Sequence, residues 1–277
     1  MVHLTATMNE VAFDPARAFY AGVDWIADIA IREKTPGLVV GISGTDSILT
    51  FLMAAKAFEQ LERPDRVIGI HYGAVWPPKD MNEERREKVL SFTPSYRWVP
   101  RVIMPWLQEQ APKAILKVDC SIDYNNDYMR WAALFQESLG GVERREEMPE
   151  GGHYWVAGTR NASEYALGTY SALSAGASLQ PIQNLWKSDV LKICAWLNVP
   201  NVALKQSRLV DCDCGRFDLA ADHIDEIDAI LQSRTGRISQ EASNIPDELR
   251  GRLEAFIDEQ QRYAGFKKRI PYAPPGP

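Results

Sequence analysis

Residues 37–58 read GLVVGISGTDSILTFLMAAKAF. The run from Gly37 to Ile42 is short, continuous and apolar, which reads as a buried strand. A small, hydroxyl-bearing turn, Ser43-Gly44-Thr45-Asp46-Ser47, follows at once. Ile48, Leu52, Ala55 and Phe58 then recur at the spacing of one helix face. A strand that feeds through a tight turn into a helix is the opening of an alternating α/β chain.

The same alternation continues outward from this stretch. Upstream, Asp14-Pro15 reads as an N-cap with proline at the first helical position, and Phe19, Val23, Ile26 and Ala30 follow at helical spacing. Downstream, RVIGIH (66–71), AILKV (114–118) and HYWVAG (153–158) read as further strands. NNDYMRWAALFQESL (125–139) shows a helical pattern through Tyr128, Trp131, Phe135 and Leu139. SDVLKICAWL (188–197) is an amphipathic helix with Ser188 as its expected cap. ADHIDEIDAIL (221–231) and DELRGRLEAFIDEQQRY (247–263) are two more. The expected fold is α/β, a Rossmann-like parallel sheet flanked by helices on both faces, in a single domain over residues 1–277. Residues 73–100 read as irregular, with a short helix expected near 81–90. Residues 140–152 read as a polar loop, and the YAPPGP tail is expected to be extended.

Composition removes several classes. The 277 residues are 45% hydrophobic and 25% charged, enough for a substantial core. A net charge of −6 and an isoelectric point near 5.4 argue against a nucleic-acid-binding surface. No apolar stretch is long enough to span a bilayer, and the N-terminus lacks the order of a signal peptide. Four cysteines, Cys120, Cys194, Cys212 and Cys214, are too few and too uneven for a disulfide framework. The expected location is the cytoplasm.

The turn at Ser43–Ser47 lies at the carboxyl end of a parallel strand and ahead of a helix N-terminus, where anions bind. Gly44 lets a phosphate approach the backbone, and Ser43, Thr45 and Ser47 offer hydroxyls. Asp46 repels phosphate unless a cation lies between them, so phosphate with Mg²⁺ resolves the conflict. From the residues alone a plain capping turn is equally consistent, since Asp and Ser are common caps.

This turn resembles the pyrophosphate loop of the N-type ATP pyrophosphatases (the PP-loop superfamily), S-G-G-x-D-S, and within it the ammonia-dependent NAD synthetases, which read G-I-S-G-G-x-D-S. GISGTDS is shorter by one residue. Further blocks resemble that family in its order. AGTRNASEYALGTYSAL (157–173) is similar to G-T-x-N-x-S-E-x-x-x-G-Y. LQPIQNLWKSDVLKICAWLNVP (179–200) is similar to P-I-x-x-L-x-K-x-x-V. DEIDAIL, FKKRIPYAP (266–274) and DYMRWAALF resemble its late helix, its tail and its arginine-bearing helix.

The resemblance implies an ATP-dependent amidating ligase with an adenine nucleotide alpha hydrolase-like fold. A carboxylate, nicotinate adenine dinucleotide or a relative, would attack the α-phosphate of ATP, release pyrophosphate and leave an acyl adenylate. Ammonia would then form the amide. ATP and Mg²⁺ are the implied cofactors. A homodimer is expected, with ammonia free or delivered by a separate glutaminase. Asp46 and Glu164 would hold Mg²⁺. Ser43, Gly44, Thr45 and Ser47 would bind the triphosphate. Arg130, Thr159, Lys187, Lys268 and Arg269 would also serve the nucleotide, with Asp46, Glu164 and Lys187 as the catalytic set. Each has a plainer reading: Glu164 as a first-turn carboxylate, Arg130 paired on its own helix, the lysines solvated. His71 reads as a buried, satisfied histidine.

Two departures qualify the substrate. The family's K-Y-G-D-G-A-x-D segment is replaced by Ala172-Leu173-Ser174-Ala175-Gly176-Ala177-Ser178, without its charges. DCDCGRFDLAAD (211–222) stands where the family has an acidic lid. Cys212 and Cys214 therefore carry alternatives: reduced lid thiols, a metal site completed by Cys194 and His223, or thiol chemistry in a PP-loop sulfurtransferase. A non-catalytic nucleotide-binding relic is the remaining reading.

Overall fold

Asp14 starts the first helix as its spacing predicts. Its Oδ1 accepts from the backbone N–H groups of Ala16 (2.9 Å) and Arg17 (3.1 Å), with Pro15 at the first position. The structure, a computed structural model, describes residues 13–73, 98–119, 127–140, 153–208, 220, 222–236 and 240–268. Among these, the strands are β1 (Leu38–Gly41), β2 (Val67–Tyr72), β3 (Ile115–Asp119) and β4 (Trp155–Ala157). The helices are α1 (Pro15–Arg32), α2 (Thr45–Gln60), α3 (Met104–Gln110), α4 (Asp127–Ser138), α5 (Ala162–Leu167), α6 (Lys187–Trp196), α7 (Asn201–Gln206), α8 (Ile224–Arg234), α9 (Gln240–Ser243) and α10 (Asp247–Ala264).

The four strands form one parallel sheet in the order β3-β2-β1-β4. From β1 the chain adds β2 and β3 on one side, then returns to place β4 on the other. Winding reverses between β1 and β4, and the carboxyl ends of those two strands flank the resulting crevice. Alternate side chains of β1 part to opposite faces. Leu38 and Val40 join the large core built with α1, α2 and α6, while Val39 joins Leu134, Trp131 and Phe135 of α4. Twelve residues of α2 are buried, which suits a helix covered by the sheet, α1 and α6 together. A smaller cluster unites Leu167 of α5 with Ile227, Ile230 and Leu231 of α8 and Leu253, Phe256 and Ile257 of α10. No described helix is long and apolar enough to cross a membrane.

The strands fall where the sequence places them, within two residues at each end. The π-helical turn Val99–Ile103 and α3 were not anticipated. Pro100 and Pro105 break up the pattern there, yet each sits in a first turn, where proline is tolerated. Val99, Ile103, Met104 and Leu107 supply the buried face. The expected helix near 81–90, the 141–152 part of the polar loop and the extended tail lie outside the described residues.

Candidate active site

At the carboxyl end of β1 the Ile42 N–H still bonds to the Ile70 carbonyl (2.7 Å), and the chain then turns into α2. Gly44 is the N-cap, in an extended conformation that any residue adopts, and a Cβ built there meets nothing within 4 Å. Its missing side chain leaves open space above the loop. The Ser47 hydroxyl folds back under the turn. It accepts from the N–H groups of Ser43 (2.8 Å) and Gly44 (3.0 Å) and donates to the Gly44 carbonyl (2.8 Å). An anion seeking those two amides has to displace it.

Asp46 faces two partners brought from far along the chain. Its Oδ2 forms an ion pair with Lys187 Nζ, and its Oδ1 accepts from Asn161 Nδ2 at 2.8 Å. Lys187 Nζ also donates to Thr45 Oγ1 (3.0 Å), and the Thr45 and Ser207 hydroxyls share a hydrogen bond at 2.7 Å. The Lys187 and Asp46 side chains retain only 11% and 17% exposure, a depth at which each charge needs its partner.

Glu164 joins this group through Asn161. Asn161 caps α5: its Oδ1 accepts from Glu164 N (2.9 Å), and Glu164 Oε2 accepts from Asn161 N (3.1 Å). The N-x-x-E spacing of this capping box was visible in the quoted segment. Asn161 thus divides its amide between its own helix and Asp46, and the sequence reading missed it. It also missed Ser163 and Asp228, although both stand within the quoted GTRNASE and DEIDAIL segments, and Ser207, which lies in none of the quoted segments. Ser188 is not a cap as expected. The helix starts at Lys187, with Trp186 in the N-cap position and no side-chain cap.

Beside the loop lies a cavity of about 180 Å³ over the carboxyl ends of β1, β2 and β4, covered by α4. Ser43, Tyr72, Arg130, Trp131, Leu134 and Thr159 line it. Arg130 contributes to the wall while bonding Asp127 of its own helix at 3.3 Å. His71 is fully buried beneath, with Nδ1 at 2.8 Å from the Ile42 carbonyl, and burial pulls its pKa down. Burial also pushes the Tyr72 phenol up, so it stays protonated.

The structure therefore gathers Ser43, Gly44, Thr45, Asp46, Ser47 and Lys187, links Glu164 to them, and sets Thr159 and Arg130 in the adjoining cavity. Lys268 sits elsewhere, at the C-terminal end of α5. There its Nζ donates to the Ala166 carbonyl (3.0 Å) and lies 5.2 Å from the centre of the Tyr165 ring. Arg269, Cys212 and Cys214 lie outside the described residues, as does Cys120. Cys194 is buried with its thiol near the Thr45 carbonyl (3.6 Å), and burial raises its pKa. Among the described residues no three His, Cys, Asp or Glu side chains cluster as a metal cage.

A sequence model of the NAD synthase family matches residues 149–271. The NH3-dependent NAD+ synthetase of Carboxydothermus hydrogenoformans is 24% identical over 263 residues, spanning 91% of this chain and 94% of its own. The fold resembles that of the NH3-dependent NAD synthetase from Campylobacter jejuni, with a TM-score of 0.58 and 17% identity over 95% of this chain and all of that one. The NMN synthetase from Francisella tularensis is similar to the same degree, with a TM-score of 0.59, 17% identity and the same coverage. At such identities the two structures establish the α/β fold.

Proposed function

We propose that the chain is an NAD synthetase-like member of the PP-loop superfamily and acts as an ATP-dependent carbon–nitrogen ligase, a reading supported by the family match over residues 149–271 and by the similarity to an NH3-dependent synthetase. It activates a carboxylate as an acyl adenylate, releases pyrophosphate and forms an amide with ammonia. The observation that carries this reading is the convergence of Lys187, Thr45 and Asp46 on one loop at the switch point of the sheet, beside a cavity lined by both polar and apolar side chains.

The cavity between Trp131, Tyr72 and Leu134 receives the nucleoside, with Arg130 and Thr159 at its polar edge. The triphosphate extends over the Ser43–Ser47 turn. As Ser47 rotates away, the N–H groups of Ser43 and Gly44 and the N-terminus of α2 become donors to phosphate. Lys187, released from Asp46, supplies a compact positive charge to the leaving pyrophosphate. Asp46 and Glu164 suit Mg²⁺, which binds through one or two carboxylates together with substrate phosphates rather than in a full protein cage. An ion held there would neutralise phosphate charge. Holding reactants in line and screening charge is the protein's main catalytic work.

The substrate is nicotinate adenine dinucleotide or a related carboxylate. Ala172–Gly176, where the family carries charges, forms a short 3₁₀ turn without an ionisable side chain, so this half of the site is built differently. One neighbour of this fold is named for NMN, which leaves the fold alone unable to select the carboxylate. Similarity to an NH3-dependent synthetase over 91% of the chain favours amide formation over sulfur transfer or a silent relic. A cytoplasmic homodimer of single-domain chains, fed by free ammonia or a glutaminase partner, completes the reading.

The test is ATP–pyrophosphate exchange over a panel of carboxylates that includes nicotinate adenine dinucleotide and nicotinate mononucleotide, followed by ammonia-dependent amide formation. Exchange with at least one member, and amide only with ammonia, is expected. Absence of carboxylate-dependent exchange across the panel sinks the proposal.

A further inference from the structure

Lys187 holds the first position of α6, a helix without a cap of its own. Its opening N–H groups are taken by side chains from two other helices. Lys187 N donates to Ser163 Oγ of α5 at 2.8 Å, and Ser188 N donates to Asp228 Oδ2 of α8 at 2.7 Å. The Ser163 hydroxyl passes its proton to Asp228 Oδ1. Asp228 is 1% exposed, and no Lys, Arg or His forms an ion pair with it among the described residues. Burial pushes its pKa up to about 6, with Asp189 adding to the rise and the bonds from Ser163 and Ser188 opposing it.

A buried carboxylate without a counter-ion is an expensive cap, since a neutral Ser or Asn caps a helix at lower desolvation cost. What a carboxylate alone supplies is two acceptor oxygens. One takes the Ser188 N–H and the other fixes the Ser163 hydroxyl, whose lone pair then points at Lys187 N. The N-terminus of α6 also favours negative charge at that place. Lys187 is thereby held at its backbone by α5 and α8 while its ammonium spans to Asp46 and Thr45.

We propose that Asp228 is a positioning residue for the ATP site: acting through Ser163, it sets the backbone of Lys187 and so aims the ammonium at the pyrophosphate loop. This rests on the reading of Lys187 as a phosphate-binding group. Asp228 touches no nucleotide itself. DEIDAIL resembles the late helix of the NAD synthetases, but the effect of Asp228 on Lys187 appears only when α5, α6 and α8 are assembled.

The test is a thermodynamic cycle on MgATP affinity, measured by titration calorimetry in wild type, Asp228→Asn, Lys187→Met and the double variant, with far-UV circular dichroism to verify folding. Asp228→Asn keeps only one of the two acceptor oxygens, so either Ser188 N or the Ser163 hydroxyl loses its acceptor, and MgATP binding should weaken about tenfold. In the Lys187→Met background the same change should cost less than about twofold, because the group it aims is gone. Equal losses in both backgrounds, or unchanged affinity in Asp228→Asn, overturn the proposal. Should Asp228→Asn fail to fold, Ser163→Ala replaces it in the same cycle, with the same two outcomes decisive. Wild-type protein that binds no MgATP overturns the ATP reading and this proposal with it. Wild-type binding with an indifferent Asp228 overturns this proposal alone.

Discussion

The Lys187 ammonium closes on the Asp46 carboxylate across 141 residues of sequence, joining the first turn of α6 to the first turn of α2. Each charge is the other's counter-ion when no nucleotide is bound. Lys187→Met leaves Asp46 with Asn161 alone, and Asp46→Asn strands the lysine. Either change should cost about 1–3 kcal/mol of stability, less than for a fully buried pair because both side chains keep some exposure. The double variant should regain most of that stability yet release no pyrophosphate. Urea midpoints and pyrophosphate assays on the three proteins check this. A double variant no more stable than either single one would show the pair to be idle.

Two glycines separate folding from ligand approach. Gly168 ends α5 at φ +79°, and a Cβ there lies 2.3 Å from the Ala264 Cβ, so Gly168→Ala should lose more than about 1 kcal/mol. Gly44 has an ordinary extended backbone and open space around it. Gly44→Ala should unfold within about 0.5 kcal/mol of wild type while ATP turnover falls at least about tenfold. Normal turnover in Gly44→Ala would remove phosphate from that space.

Asn161 has two tasks that a shorter side chain divides. Serine caps helices as well as asparagine does, so Asn161→Ser should keep stability within about 0.5 kcal/mol. It cannot span to Asp46, and pyrophosphate release should drop. Glu164→Gln keeps an acceptor for Asn161 N and should likewise preserve the fold. Its expected signature is a shifted Mg²⁺ titration of turnover. An unchanged titration would leave Glu164 as a helix cap and nothing more.

The parts of this molecule legible in sequence were those set by local pattern. The apolar run at 37–42, the helical spacing of Ile48, Leu52, Ala55 and Phe58, and the N-cap at Asp14 each follow from neighbouring residues. The loop at 43–47 reads as a candidate anion site because a carboxylate among hydroxyls at a helix start is chemically odd. What sequence could not display is which distant groups meet there. Lys187 was assigned to phosphate, but its pairing with Asp46 depends on how α6 packs against α2. Ser207 enters only because α7 ends against Thr45. The Ser188 cap was misplaced because a good capping residue stood one position past the true start, where Asp228 and Ser163 from other helices do the capping.

Asp228 also predicts how stability varies with pH. In the fold its carboxyl titrates at about 6, against an ordinary value of 3.8. Between those two values the folded chain keeps a proton that the unfolded chain has already released. The protonated group therefore contributes its full stability below the unfolded value, and the contribution is lost as pH rises through about 6. The whole effect is roughly 3 kcal/mol, of which about 1 kcal/mol or more falls between about pH 5 and about pH 7.5. Asp228→Asn carries no titrating group at that position. Its stability should thus gain on wild type by about 1 kcal/mol or more as pH is raised across that interval, even though it has lost one of the two acceptor oxygens. Urea denaturation of both proteins at the two ends of the interval measures the difference directly. If the gap between them stays constant, the carboxyl of Asp228 does not titrate in this window and burial has not raised it.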